Sequence, residues 1–226
     1  EKNGVPNPDD LPENPVKAFD LNGDGIFNGS DYILFYGKGP NEWVYSNPAK
    51  SFSFKRNIYT DTTHYFVSVN NGTALSIPDL ASVSGSPDYV SGSFDDFLII
   101  ENDSVNLIAS GRRWFWRDFK FVTSHTVSGT LPGGFRPDSA IKVNVMMAAR
   151  CISCTSAFSV SANGQNLGTI PVASTCSECN YAVDGLGSFT MFTASPQFNF
   201  TINRVSPASQ GIDSWLDYIS LNGRRN

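Results

Sequence analysis

The stretch Ile141-Lys142-Val143-Asn144-Val145-Met146-Met147 places an apolar side chain at every second position, with Lys142 and Asn144 between them. A period of two is typical of a β-strand that buries one face. The same period recurs in Phe198-Asn199-Phe200-Thr201-Ile202. Phe158, Val160 and Ala162 lead into Asn163-Gly164, a dipeptide that favours a two-residue hairpin turn. These patterns predict antiparallel strands joined by tight turns.

Further strands are predicted at residues 189–191 and 215–221, which gives about six short strands in the second half of the chain. The 17 Phe, 8 Tyr and 4 Trp residues also favour strands over helices. We therefore predict an all-β fold. A small N-terminal β module precedes an antiparallel, jelly-roll-like β-sandwich at residues 93–226.

The N-terminal part divides into two predicted segments. Residues 1–15 carry four prolines among Asn and acidic residues, which indicates an extended arm or linker. Residues 16–92 form the β module, which ends in a loop rich in Ser, Gly and Pro. Within it, Tyr65-Phe66-Val67-Ser68-Val69 is predicted to be a strand that ends at the turn Asn70-Asn71-Gly72.

Residues 20–31 have the spacing of a twelve-residue calcium loop. Its oxygen donors fall at positions 1, 3, 5, 7, 9 and 12, namely Asp20, Asn22, Asp24, Ile26 through its carbonyl, Asn28 through a water, and Asp31. Gly25 takes position 6, where the chain must turn sharply. Position 12 is Asp rather than the longer Glu, which shortens its reach to an ion. The segment that follows, residues 32–37, is too short and aromatic for a full EF-hand helix, so we expect the loop to lead into a strand. The alternative is a polar turn that binds nothing.

The four cysteines form two Cys-x-x-Cys pairs, Cys151 with Cys154 and Cys176 with Cys179. If the segments between them form a hairpin that turns at Asn163-Gly164, both pairs lie at the same end. Two disulfides in an oxidising compartment that tie the hairpin ends together are the favoured interpretation. A zinc ion held by four thiolates is the alternative.

The sequence indicates no catalytic residues. Only two histidines are present, and there is no phosphate loop, dinucleotide fingerprint, zincin helix or nucleophile elbow. The acidic residues Asp95, Asp96, Glu101 and Asp103 are interpreted as solvated loop charge. The net charge of −5 without a basic stripe argues against nucleic acid as a partner. No apolar run approaches the roughly 20 residues of a membrane-spanning helix.

A family resemblance is carried by the run Phe19-Asp20-Leu21-Asn22-Gly23-Asp24-Gly25-Ile26-Phe27-Asn28-Gly29-Ser30-Asp31-Tyr32-Ile33-Leu34-Phe35-Tyr36-Gly37, followed by Gly39-Pro40 and Trp43. Three shorter pieces agree in order: Asn57-Ile58-Tyr59 with Tyr65-Phe66, Ser110-Gly111-Arg112-Arg113-Trp114-Phe115, and Trp215-Leu216-Asp217-Tyr218-Ile219. Over about residues 16–225 the chain resembles the N-terminal, non-peptidase region of the type IX secretion system sortase, a gingipain-type cysteine endopeptidase of Bacteroidetes. One departure is Trp116-Arg117, where the family tends to continue Gly-Glu.

The resemblance implies a function for the parent protein rather than for this chain. A His/Cys peptidase domain would follow residue 226, cleave C-terminal sorting domains from secreted cargo at the outer membrane, and attach the cargo to lipopolysaccharide. The present residues would be an exported, non-catalytic scaffold that contacts that domain, cargo or translocon subunits.

Two other hypotheses remain. In the first, the chain is a carbohydrate-binding sandwich, with Trp114 and Trp116 as an interaction surface for sugars. Alternatively it is a dockerin-like adhesion module, although such modules carry two calcium loops and only one is found here.

Overall fold

The structure is a computed structural model that describes residues 11–57, 59–68, 73–109, 113–205 and 212–226. These residues form strands, one short 3-10 turn at Leu107–Ala109 (η1), and no α-helix. The strands are β1 Val16–Phe19, β2 Tyr32–Phe35, β3 Glu42–Ser46, β4 Ser51–Lys55, β5 Phe94–Glu101, β6 Val105–Asn106, β7 Trp114–Phe115, β8 Arg117–Asp118, β9 Ser124–Thr130, β10 Ile141–Arg150, β11 Ser156–Ala162, β12 Gln165–Val172, β13 Val183–Met191, β14 Gln197–Arg204 and β15 Asp213–Arg225. The prediction of an all-β fold is confirmed. Among the described residues no helix is long and apolar enough to cross a membrane.

By its internal contacts the chain divides into two units. The first takes in the described residues of 1–41 and 60–88, and the second takes in those of 42–59 and 89–226. Residues 42–59, which the sequence analysis assigned to the N-terminal module, therefore group with the sandwich. Most of the predicted N-terminal arm, residues 1–10, lies outside the described residues.

The second unit is built from two antiparallel sheets. The first sheet has the order β13-β10-β15-β5, with β8 also paired to β15, and the second has the order β12-β11-β14-β9. The stretch that begins at Ile141 is β10, at the centre of the first sheet, where it pairs with both β13 and β15. The predicted antiparallel sandwich is thus confirmed, and β5 belongs to it.

The core lies between the two sheets and follows the predicted alternation. Ile141, Val143 and Val145 of β10 are fully buried, whereas Lys142 is exposed and Asn144 is partly buried. From the opposite sheet, Phe158 and Phe200 are also fully buried. Because consecutive side chains of a strand point to opposite faces, each sheet delivers one row of apolar side chains to the shared core.

The hairpin turn at Asn163-Gly164 is confirmed. Both residues have positive φ, 49° and 81°, as a type I′ turn requires. The Asn163 side chain also fixes the turn to β14, because its amide donates to the Gln197 carbonyl at 3.0 Å and its carbonyl accepts from the Asn199 amide at 2.8 Å.

The hairpin of β3 and β4 packs on the outer face of the first sheet. Trp43 stacks on Phe97 with ring centroids 3.5 Å apart. The Phe52 amide donates to the Asn222 side chain at 2.6 Å, and the Lys142 ammonium donates to the Ala49 carbonyl at 2.6 Å. Leu98 packs on the main core, so its neighbour Phe97 points to the opposite face. The hairpin thereby covers apolar surface of β5.

In the first unit β1 and β2 form a two-stranded antiparallel sheet, and β2 follows directly on the predicted calcium loop. The prediction of a strand from Tyr65 was wrong, since residues 65–68 lie outside every strand. Tyr65 is held instead by its side chain, whose hydroxyl donates to the Lys38 carbonyl at 2.7 Å and whose ring lies 5.2 Å from that of Phe35. Val69 and the predicted turn at Asn70-Asn71-Gly72 lie outside the described residues.

Candidate functional site

The loop at residues 20–31 closes on two aspartate side chains. The Asp20 carboxylate accepts hydrogen bonds from the backbone amides of Gly23 at 2.6 Å and Gly25 at 2.8 Å. The Asp31 carboxylate accepts from the amides of Leu21 at 2.9 Å and Asn28 at 2.8 Å, so it joins the two ends of the loop. Gly23 and Gly25 have φ of 71° and 72°, which favour glycine because a Cβ would be strained there.

The remaining polar side chains of the loop converge on Asp24. Its carboxylate accepts from the side-chain amides of Asn22 at 2.8 Å and Asn28 at 3.1 Å, and from the Ile26 amide at 2.7 Å. Hydrogen bonds from backbone amides, that of Gly25 foremost, hold the pKa of Asp20 below its ordinary value. An ionised Asp20 is the state that a cation requires.

The oxygen donors of this loop are of the kind that a hard cation binds, although its carboxylates are not already arranged as a metal site. Oxygen donors from Asp, Asn and a backbone carbonyl are the ligands that calcium prefers. A carboxylate offers about four lone-pair sites, so the bonds that Asp20 accepts leave sites for an ion. Within the described ranges, no group of three or more His, Cys, Asp or Glu side chains lies in a metal-binding arrangement.

The two Cys-x-x-Cys segments lie side by side, as expected from the hairpin between them. Ile152 and Thr175 form a parallel bridge, and the Thr175 amide donates to the Cys151 carbonyl at 2.9 Å. Each segment contains its own disulfide, Cys151–Cys154 and Cys176–Cys179, with Cα atoms 5.3 and 5.0 Å apart. The disulfides therefore do not tie the two hairpin ends to each other, and no free thiol is left to bind zinc.

Trp114 and Trp116 do not form one platform. Trp114, on β7, is 43% exposed, and its backbone pairs with Asn106 of β6. Trp116 packs against the main core and carries the Arg117 guanidinium 4.7 Å from its ring. Only Trp114 offers a large part of its ring to solvent.

A cluster of ion pairs on the outer side of the first sheet was missed by the sequence analysis. The Arg113 guanidinium donates to both carboxylate oxygens of Asp184 at 2.7 Å and to one oxygen of Asp217 at 2.6 and 3.2 Å. Arg56 pairs with Glu101 and Asp103. These partners are 45–104 residues apart in sequence, so no local sequence pattern predicts the ion pairs.

The interpretation of the acidic residues as solvated loop charge needs correction. Asp95 and Asp96 lie on β5, where they pair with Arg224 and Arg225, and Glu101 ends the same strand. Burial raises the pKa of the carboxyls of Glu101, Asp103 and Asp217 above their ordinary values. Each of these carboxylates forms an ion pair with an arginine, Glu101 and Asp103 with Arg56 and Asp217 with Arg113. The arrangement therefore holds strands in place rather than presenting a free acid and base.

The two histidines contribute no nucleophilic centre. His125 donates from Nε2 to the Asp118 carbonyl at 2.8 Å and packs edge-on against Phe119 at 4.6 Å. His64 is exposed in the first unit. All four cysteines are in disulfides, so the present chain has no thiol that a histidine could activate.

Comparison with known proteins identifies a similar fold but no sequence family. No family model matches the chain, and no curated protein matches it. Among solved structures, dimeric latent PorU from Porphyromonas gingivalis matches 97% of this chain with a TM-score of 0.65 and 19% sequence identity. The match covers 20% of the PorU chain, so the present chain spans about one fifth of the length of that structure.

Two further structures match part of the chain with TM-scores below 0.5. An insecticidal delta-endotoxin from Bacillus thuringiensis matches 46% of this chain and 18% of its own, with a TM-score of 0.34 and 14% identity. The C-terminal CBM6 of LamC, a marine laminarinase from Zobellia galactanivorans, matches 56% of this chain and 98% of its own, with a TM-score of 0.33 and 16% identity. The chain is thus similar in fold to a region of PorU.

Proposed function

We propose that this chain is the accessory, non-catalytic N-terminal region of an exported cell-surface cysteine endopeptidase of the type IX secretion system. The observation that carries the proposal is the fold shared with PorU over 97% of the chain at a TM-score of 0.65. The sequence resemblance to the type IX sortase, based on residues 19–37, points in the same direction. In this proposal the parent enzyme removes C-terminal sorting domains from cargo at the outer membrane and attaches the cargo to lipopolysaccharide.

The peptidase domain of the parent protein is the first partner that we propose. The similar region makes up one fifth of the PorU chain, which leaves most of that protein for other domains. The chain described above holds no free thiol, so the cysteine nucleophile of the proposed enzyme belongs to another part of the parent. Secreted cargo and translocon subunits are further partners in this proposal.

The two-stranded sheet of the first unit is the surface that we propose docks on the rest of the parent protein. Alternate side chains of a strand point to the same face. Ile33 and Phe35 therefore share one face of β2, while Tyr32 and Leu34 share the other. These four side chains are 41–52% exposed, and no described residue of this unit is buried. A two-stranded sheet is marginally stable alone. Because apolar side chains lie on both faces of this sheet, we expect other parts of the parent protein to cover both faces.

Hydrogen exchange tests this docking. In the full-length parent, amides of β1 and β2 should exchange more slowly than in the isolated chain. Leu34→Ser should abolish the difference, whereas Leu80→Ser, at a residue 93% exposed in the same unit, should leave it unchanged. Equal hydrogen exchange of β1 and β2 in the parent and in the isolated chain would contradict the docking surface. It would leave the proposed identity of the parent unaffected.

We also propose that the loop at residues 20–31 binds calcium. Asp20, Asn22, Asp24, the Ile26 carbonyl, a water on Asn28, and Asp31 would supply the ligands. The fit of the donor set and the ionised state favoured at Asp20 support this role. The ion would brace the loop that leads into β2, rather than take part in chemistry.

The identity of the parent is tested with a covalent probe for cysteine peptidases. An activated peptide that alkylates a catalytic thiol should label the full-length protein at a cysteine outside residues 1–226. Without added reductant, so that both disulfides stay closed, the isolated chain should remain unlabelled. Labelling within this chain, or a full-length protein without any reactive catalytic thiol, would rule out the proposal.

The alternative function is a carbohydrate-binding module, favoured by the exposed ring of Trp114. A glycan array would test it, with Trp114→Ala as the binding-site variant. Phe121→Ala, at an aromatic residue 90% exposed elsewhere in the second unit, is the matched control. Glycan binding lost only in the Trp114 variant would favour this alternative over the accessory role.

A further inference from the structure

The two disulfides differ in their access to solvent. Cys151 is 1% exposed, and both Cys151 and Cys154 pack in or against the main core. Cys176 and Cys179 are exposed, as are Ser177 and Glu178 between them. An exposed disulfide can be reached by an external thiolate, whereas one within a core is shielded. The same sequence spacing therefore occurs in two different chemical settings within one chain.

Neither disulfide joins segments that are distant in sequence. Each closes a segment with a sequence separation of 3. The stabilisation that a disulfide gives through the unfolded chain is smallest for short loops. The two segments are joined to each other by backbone hydrogen bonds instead, from Thr175 to Cys151 at 2.9 Å and from Ser153 to Thr175 at 3.3 Å. Opening the exposed disulfide breaks none of these bonds.

The loop that holds Cys176 and Cys179 is also fixed without its disulfide. The Cys179 amide donates to the Cys176 carbonyl at 3.3 Å, and the Thr175 hydroxyl donates to the Asn180 carbonyl at 2.7 Å. These bonds close the same turn around the two cysteines. Reduced thiols in this turn stay close together, so exchange with an external disulfide can close the bond again.

We propose that Cys176–Cys179 is a reversible thiol–disulfide exchange site for an external dithiol, and that Cys151–Cys154 is a shielded structural disulfide. A thiolate of the dithiol attacks one sulfur of the Cys176–Cys179 bond, forms a mixed disulfide and expels the other cysteine as a thiolate. The second thiol of the partner, once deprotonated, attacks the mixed disulfide and releases the first cysteine. The partner leaves as a disulfide with two electrons fewer, and its two protons end on Cys176 and Cys179.

Glu178 lies between the two cysteines of this segment and is exposed. Its carboxylate carries the same sign of charge as the attacking thiolate and repels it. Glu178→Gln should therefore speed exchange, and Glu178→Lys should speed it further.

Redox titration with differential alkylation tests the proposal on the folded chain. Samples equilibrated in graded ratios of reduced to oxidised dithiothreitol are quenched with iodoacetamide, and the four cysteines are quantified by mass spectrometry. Cys176 and Cys179 should be labelled together at ratios that leave Cys151 and Cys154 unlabelled, and transfer into excess oxidised dithiothreitol should restore the disulfide. Labelling of all four cysteines together, or of Cys151 and Cys154 first, would overturn it.

Two variants separate exchange from unfolding. Cys176→Ser/Cys179→Ser should fold with an unchanged melting temperature and show no labelling until the chain unfolds. Exchange rates of the Glu178 variants, measured by stopped-flow with dithiothreitol, give an independent readout. Rates equal in wild type, Glu178→Gln and Glu178→Lys, together with a lower melting temperature of the double serine variant, would assign Cys176–Cys179 a purely structural role.

Discussion

Arg113 and Asp217 form an ion pair in which two guanidinium nitrogens donate to the same carboxylate oxygen at 2.6 and 3.2 Å. Asp217 lies on β15 and is only 7% exposed, whereas Arg113 precedes β7. The pair therefore fixes the segment around Trp114 to the centre of the first sheet. Asp184 of β13 accepts two further bonds from the same guanidinium.

Removal of this guanidinium should destabilise the sandwich. Arg113→Ala leaves Asp217 buried without a cation, which costs about 3–5 kcal/mol in a fully buried pair. Because the Arg113 side chain is 41% exposed, we expect a loss nearer to about 1–3 kcal/mol in urea unfolding. Asp184→Asn, at a side chain 51% exposed, is the control and should cost less than about 1 kcal/mol. Equal losses in the two variants would contradict the account.

Stability should increase as the pH falls from neutral toward mildly acidic values. Burial raises the folded-state pKa of Glu101, Asp103 and Asp217, so the folded protein binds protons at a higher pH than the unfolded chain. Their contribution is complete below the unfolded pKa of about 4 and is lost as the pH rises through the folded values. Melting temperatures across pH 4–8 measure this.

The variant Glu101→Gln isolates one of these groups, since it cannot titrate. Above the unfolded pKa of about 4, its melting temperature should vary less with pH than that of the wild type. Below this range, stability should fall again as Asp95 is protonated, because its bond from Tyr45 holds its pKa below the ordinary value. A wild-type melting temperature that rises steadily from pH 5 to pH 8 would be incompatible with the raised pKa values.

Truncation in the core should be far more costly than truncation at the surface. Phe200 is fully buried between the sheets, whereas Phe121 is 90% exposed. Phe200→Ala should destabilise the second unit by about 3–5 kcal/mol, while Phe121→Ala should change it by less than about 0.5 kcal/mol. Chemical denaturation followed by tryptophan fluorescence measures both. Similar values would mean that the sheets do not enclose the core described here.

Calcium should bind the loop at residues 20–31. Isothermal titration of chelator-treated protein is expected to give a Kd in the range of about 10⁻⁴–10⁻³ M, as in extracellular modules. At ten times the Kd, bound calcium adds about 1.4 kcal/mol to the stability of the first unit. Asp20→Asn should weaken binding, and Asp88→Asn, at an exposed aspartate outside the loop, should not. An absence of heat at millimolar calcium would remove the metal from the account.

Much of the second unit could be predicted from local patterns in the sequence. The alternation in β10 and β14 is a direct consequence of one buried face, and Asn163-Gly164 meets the φ requirement of a type I′ turn. Contacts between distant residues could not be predicted in this way. Trp43 on Phe97 places the β3–β4 hairpin with the sandwich, and no local pattern gives that assignment.

The candidate sites were predictable to different degrees. The loop at residues 20–31 and both Cys-x-x-Cys segments were found from spacing alone. The pairing of each cysteine within its own segment was not, because spacing does not distinguish local from crossed disulfides. The strand predicted from Tyr65 is not formed. Tyr65 packs on Phe35, whereas Phe66 and Val67 are 80% and 75% exposed and so do not contribute to a buried sheet face.

We propose that this chain supports a peptidase located elsewhere in a longer protein. The direct measurement is the cleavage rate of a peptide containing a sorting-domain junction, with the full-length parent and the isolated chain at equal concentration. The account predicts turnover by the parent, loss of turnover after alkylation of the parent's catalytic thiol, and none by the isolated chain. Turnover by the isolated chain, or a parent that is inactive at every junction tested after activation, would contradict it.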